Sequence, residues 1–106
     1  MSDSKFDSIP LEWIRAFETT ARLGSFTAAA RETGLTQPAV SQRIAHLEHQ
    51  LGAKLFVRKT RAIHLTTEGE AWLPHVQASL NALRDSSEAL FGTGRNKIVI
   101  SASSSI

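Results

Sequence analysis

Gln37, Pro38, Ser41 and Gln42 form the group of side chains in this 106-residue chain best suited to reading a polar surface. The two Gln amides donate and accept together, which matches the N6 and N7 edge of adenine in the major groove of DNA. A Ser hydroxyl can bond to several base edges, and Pro38 with Ala39 offers apolar contact to a thymine methyl group. A solvated surface helix would carry Glu and Lys at such positions. Further along, Lys54, Arg58, Lys59 and Arg61 stand with no Asp or Glu before His64, a local charge of about +4. Such a stretch suits phosphate, although alone it also fits a solvated basic loop. Ser25 and Thr27 are suited to phosphate oxygens through their hydroxyls and the free N–H groups of a helix start, and Ser25 equally suits a helix cap. Arg31 and Arg43 are outlying cations able to touch phosphate or to pair with Glu32 and Glu48.

Other chemistry finds little to stand on. The chain has no Cys, which removes disulfides, thiol nucleophiles and Cys-based zinc sites and fits a reducing cytoplasm. His46 and His49 flank Glu48 at a spacing that can bind metal on a helix, but His64 and His75 are scattered and no third ligand group accompanies them. Gly92-x-Gly94 lacks the strand-turn-helix setting of a phosphate loop. The expectation is a chain with no active site, metal or cofactor. Met1 to Ser8 lack the basic start and apolar run of a signal peptide. The longest apolar runs are a few residues, so no membrane partner is expected and the location is taken as cytoplasmic.

The elements that would hold these residues can be read from spacing. Pro10 suits the first turn of a helix. Leu11, Ile14, Phe17 and Ala21 then make one apolar stripe ending at Gly24. Ser25 caps a second helix, about Phe26 to Thr33, with Phe26, Ala29 and Ala30 inward and Gly34 closing it. Thr36 caps a third, with Pro38 tolerated in its first turn. Val40, Ile44, Leu47 and Leu51 share one side of this helix at roughly 100° per residue. Opposite lie Pro38, Gln42, Ala45 and His49, with Ser41 and His46 at the edges. Two helices joined by a tight Gly-containing turn make a helix-turn-helix. Lys54–Val57 and Ala62–Leu65, joined by Arg58-Lys59-Thr60-Arg61, read as a β-hairpin with a basic tip, which is a wing. A generic three-helix bundle would share the helical rhythm but has no reason to carry such a hairpin.

Thr66 opens a fourth helix of roughly 25 residues, to about Phe91, in which Pro74 should bend the first turns. Its apolar positions are Trp72, Val76, Leu80, Leu83 and Leu90, with Ser87 in register. From Val76 onward the steps of four and three form an a/d seam. The stripe could cover its own domain, but a helix this long has little domain to cover, and self-association is the stronger reading. Gly92-Thr93-Gly94 reads as a break, and Lys97 to Ser101 as a strand opening a second domain of which this chain is a cut-off start. A pure protein-interaction module is the rival to DNA binding, and it would show more exposed aromatic and aliphatic anchors on the third helix.

Five ordered motifs carry a family resemblance. Gly24-Ser25-Phe26-Thr27-x-Ala29-Ala30, Thr36-Gln37-Pro38-Ala39-Val40-Ser41, Leu47-Glu48-x-x-Leu51-Gly52, Leu55-Phe56-x-Arg58 and Leu65-Thr66-x-x-Gly69 resemble the N-terminal domain of LysR-type transcriptional regulators over about residues 10 to 91. The resemblance implies a mainly α winged helix-turn-helix, three helices plus a two-stranded wing, followed by a long dimerisation helix. Residues 1–8 would be a tail, 9–66 the DNA-binding domain, 67–91 the linker helix, and 92–106 the hinge and first strand of an effector domain. It also implies a homodimer on double-stranded DNA, a higher oligomer for the full-length protein, and a small-molecule effector acting only through the domain missing here. Base contacts would fall on Gln37, Pro38, Ser41 and Gln42. Together with the residue chemistry and the a/d seam above, backbone or minor-groove contacts would come from Ser25, Thr27, Arg31, Arg43, Arg58, Lys59 and Arg61, and the dimer interface from Trp72, Val76, Leu80, Leu83, Ser87 and Leu90. Many members have Arg then Gln after the motif Ser, whereas this chain has Gln42-Arg43, which shifts the expected preference there from guanine to adenine.

Overall fold

Each helix starts or stops where local chemistry requires. The computed structural model describes residues 8–59 and 62–92. They form α1 (Leu11–Leu23), α2 (Phe26–Thr33), α3 (Gln37–Leu51), β1 (Phe56–Arg58), β2 (Ile63–Leu65) and α4 (Thr67–Phe91). The expectations for Arg61, for residues 1–7 and for the strand after Gly94 lie outside the described residues. The Ser25 hydroxyl accepts from Ala28 N at 3.1 Å, and that of Thr36 from Ala39 N at 3.2 Å. Each satisfies a first-turn N–H that has no partner within its helix. Gly34 ends α2 with φ at 74°, and a Cβ there would meet nothing within 4 Å. Left-handed backbone, and not crowding, is therefore what calls for glycine in this turn.

The chain packs as two units, up to Pro74 and from His75. In the first, α1 lies against both α2 and α3, and α2 against α3. Ile14, Phe17, Phe26, Ala29, Val40, Ile44 and Leu47 are buried there with Leu55 and Phe56. An aromatic chain binds the helices to the wing: the Phe17 ring lies 5.6 Å from Phe56 and 5.4 Å from Trp72, and Phe26 lies 5.8 Å from Phe56. The buried face of α1 is broader than one apolar stripe. Ala16, Thr19 and Thr20 are buried, whereas Leu11 is 44% exposed and Ala21 half-buried. Two helical neighbours draw in a wider arc than a single contact line would, and the small Ala16 and Thr20 allow the close approach.

The wing differs from expectation by a residue or two. β1 pairs antiparallel with β2 in the register Phe56↔Leu65, Val57↔His64, Arg58↔Ile63. Arg58 is thus a strand residue and not part of the tip, and Lys54 and Leu55 precede the strand. They are held by other means. One Glu48 carboxylate oxygen accepts from Leu55 N at 2.7 Å and from Phe56 N at 3.3 Å. Thr66 donates its hydroxyl to Lys54 O at 2.7 Å, donates its N–H to Leu55 O at 3.0 Å, and accepts from Gly69 N at 3.0 Å. Gly69 faces that same carbonyl so closely that any Cβ would run into it. In the second unit α4 continues, Val76 is buried and Leu80 half-buried, and every described residue from Asn81 is exposed. No helix among the described residues is long and apolar enough to cross a membrane.

Candidate nucleic-acid interface

Helix α3 turns Val40, Ile44 and Leu47 into the core, and that choice fixes what it shows outward. Gln37, Pro38, Gln42, Ala45, His46 and His49 are exposed, with Ala39 and Ser41 half-buried beside them. The outer face over the first two turns is therefore uncharged. Pro38 occupies the first turn, where its missing N–H removes a donor that has no helical partner. Thr27 of α2 donates to Gln37 Oε1 at 3.3 Å. That contact brings two expected site residues together across the turn and leaves the Gln37 amide nitrogen as the end it does not use.

The second pair it brings together joins the wing to α3. In a strand, alternate side chains share a face, so Arg58 lies on the side of buried Phe56, toward the helices. Its guanidinium carbon stands 4.4 Å above the Phe26 ring centroid, and Nη2 donates to Ser41 Oγ at 2.7 Å. The sequence places Arg58 among the residues meeting the DNA backbone or minor groove, yet here it touches a base-reading candidate. The Leu55-Phe56-x-Arg58 motif holds a usable signal, since the period of two from Phe56 already sends Arg58 inward.

The remaining cations sort differently from the simple pairing rule. Arg43 lies 3.9 Å from Glu12, and pairs with neither Glu32 nor Glu48. Glu32 instead takes Arg22 at 2.5 Å, which also reaches Glu18 at 3.3 Å. The hydrogen bond to Glu32 raises the Arg22 guanidinium above its ordinary range; desolvation opposes it, and the nearby Glu18 and Glu32 charges add to it. Glu48, read from sequence as a partner for a cation, anchors the start of β1 through one carboxylate oxygen, and its other oxygen lies 3.9 Å from Lys54 Nζ. Arg31 and Lys59 are exposed, Ser25 and Arg43 half-buried, and Thr27 exposed. His46 leaves the edge of α3 toward Trp13, ring centroids 5.3 Å apart. Among the described residues no group of three His, Asp or Glu side chains could hold a metal ion.

Along the proposed seam the side chains divide. Trp72 stacks on Phe17 inside the first unit and is half-buried, and Val76 is 4% exposed. Leu83 is 52% and Leu90 72% exposed, with Ser87 exposed between them.

The family model for the bacterial regulatory helix-turn-helix protein, lysR family, matches residues 11–70. The chain is 49% identical over 75 residues to the HTH-type transcriptional activator AmpR of Citrobacter freundii, covering 71% of this chain and 26% of that relative. The crystal structure of a BenM_DBD/benA site 1 DNA complex is similar with a TM-score of 0.71 and 29% identity, over 76% of this chain and 90% of that one. Oxidised Corynebacterium glutamicum OxyR is similar with a TM-score of 0.73 and 32% identity, over 79% of this chain and 27% of that one. The chain thus spans roughly a quarter of the length of AmpR and OxyR.

Proposed function

Because the chain belongs to the LysR family of bacterial regulatory helix-turn-helix proteins, we propose that it binds double-stranded DNA by sequence, with α3 in the major groove and the β1–β2 wing at the neighbouring minor groove. The observation that carries this reading is the exposed, uncharged leading edge of α3, Gln37, Pro38 and Gln42. Base edges in the major groove present donors, acceptors and methyl groups, which amides, hydroxyls and apolar rings can match. In this reading Gln37, Pro38, Ser41 and Gln42 meet the bases. Ser25, Thr27, Arg31, Arg43, Lys59 and Arg61 hold the sugar-phosphate strands, which supply affinity and register but little sequence information. The BenM fragment, which has the same fold and is similar over most of its length, was crystallised on DNA.

The protein acts in this reading as a homodimer paired through α4. Trp72 and Val76 are engaged or buried within the chain, so pairing draws on Leu80, Leu83, Ser87 and Leu90. Small-molecule control belongs to the part of such regulators outside the aligned residues, and no chemistry is assigned to this chain itself. The test is selection from a pool of random duplexes, combined with affinity measurements over a salt series. Enriched sites should be pseudo-palindromic, with half-sites about one helical turn or a multiple apart. The logarithm of affinity should fall linearly with that of salt. Failure to enrich any sequence at low ionic strength would overturn the reading.

A further inference from the structure

We infer that Arg58, from the wing, sets what Ser41 reads by turning its hydroxyl into a hydrogen-bond donor, and so acts as a positioning residue for base preference. This rests on the DNA-binding reading above and deepens it. A serine hydroxyl offers one proton and two lone pairs. At 2.7 Å the Arg58 Nη2–H occupies one lone pair of Ser41 Oγ with a charge-assisted bond. A cation on that oxygen polarises its O–H, which makes the proton a stronger donor. It also disfavours any second donor approaching the same oxygen. The Arg58 guanidinium is itself held in place. It stacks 4.4 Å above Phe26, which is 8% exposed and braced by Phe56 at 5.8 Å. The strand supplies the direction, since Arg58 is paired with Ile63 in the ladder and shares its face with buried Phe56.

The consequence is a stated preference. Guanine presents O6 and N7 in the major groove, thymine O4 and adenine N7, all acceptors, whereas cytosine presents only its N4 amine, a donor. The base that Ser41 meets should therefore be guanine, thymine or adenine, each through an acceptor atom, and not cytosine. A plain phosphate contact by Arg58 would instead act on every sequence alike and add to the salt dependence.

The two roles separate in one experiment. The wild-type chain and its R58K, S41A and R58K/S41A variants are each passed through selection on random duplexes. Salt series and thermal melts are then measured for all four. Lys keeps the charge but has neither the planar fork nor the stacking surface of Arg. The expected result is that R58K and S41A flatten the same single position, each losing about tenfold in discrimination there, and that the double variant loses no more. The salt slope of R58K should match that of the wild type. The inference is overturned if R58K leaves that position unchanged while S41A flattens it. It is equally overturned if R58K weakens all sequences uniformly, or if the effects of the two substitutions simply add. Wild-type protein without any sequence preference would instead sink the DNA-binding reading, an outcome these variants are not needed to see. Because Arg58 is exposed and Ser41 half-buried, both single variants should fold, and matching melts identify any that do not.

Discussion

Single residues divide into those that face outward and those that let the backbone come close. Gln42 is of the first kind: exposed on α3, uncharged, and opposite the buried Val40, Ile44 and Leu47. Gln42→Ala should remove about 1–3 kcal/mol of discrimination at one base pair and leave the others as they were. Repeating the duplex selection with the variant checks this, and a uniform loss across all sequences would rule out base reading by that side chain. Gly69 is of the second kind. It sits in the first turn of α4 with an ordinary helical role, yet its Cα faces the Leu55 carbonyl so closely that a methyl group has no room. Gly69→Ala should therefore destabilise the fold by about 1–3 kcal/mol, although alanine is the better helix former. Denaturant unfolding would show it, and an unchanged or raised midpoint would mean that α4 and the segment before β1 can separate freely.

At the scale of elements, most of the fold was legible because each helix carries its own punctuation. Ser25 and Thr36 cap, Gly24, Gly34 and Gly52 stop, and the hydrophobic rhythm of α3 names its core side without ambiguity. The wing was legible as a hairpin but not in its boundaries, since two strands of three residues leave little pattern for alternation to act on. What places it comes from elsewhere in the chain. Glu48 reaches from the end of α3 to two backbone N–H groups, and a carboxylate seven residues from its partner gives no periodic signal. The Ser41–Arg58 contact was hidden likewise, because it spans 17 positions and joins a helix edge to a strand. Hydrogen bonds to a charged acceptor contribute about 1.5–3 kcal/mol each. Glu48→Ala should lower stability by roughly that amount, and it should loosen β1 before the helices. Amide hydrogen exchange would locate the effect, with the N–H groups of Leu55 and Phe56 losing protection first. Uniform loss of protection across α1 to α3 would instead make Glu48 a general core residue and not an anchor of the wing.

For the whole molecule the open question is how a helix continues beyond the unit that buries its start. The aromatic chain from Phe26 through Phe56 and Phe17 to Trp72 anchors the beginning of α4, and the covered face of this helix narrows after Val76. Beyond Leu80 every described residue is exposed, including Leu83 at 52% and Leu90 at 72%. A short exposed helical stretch such as residues 81–91 is marginal in water by itself, and helices in proteins draw most of their stability from a packed apolar face. A second copy presenting the same seam would supply that face by two-fold symmetry, and would set two α3 helices on one duplex as the proposed half-sites require. Replacing Leu83 and Leu90 together by Glu would put two like charges on each side of such a seam. Sedimentation should then show monomers, helicity should fall mainly within α4, and binding to paired half-sites should drop toward that of a single half-site. The Phe17 and Trp72 environment, read by near-ultraviolet circular dichroism, should stay as in the wild type, because those rings pack within the first unit. Dimers that survived the double substitution would move the association surface away from this seam, and a collapse of the aromatic signal would show that the distal turns hold up the DNA-binding unit itself.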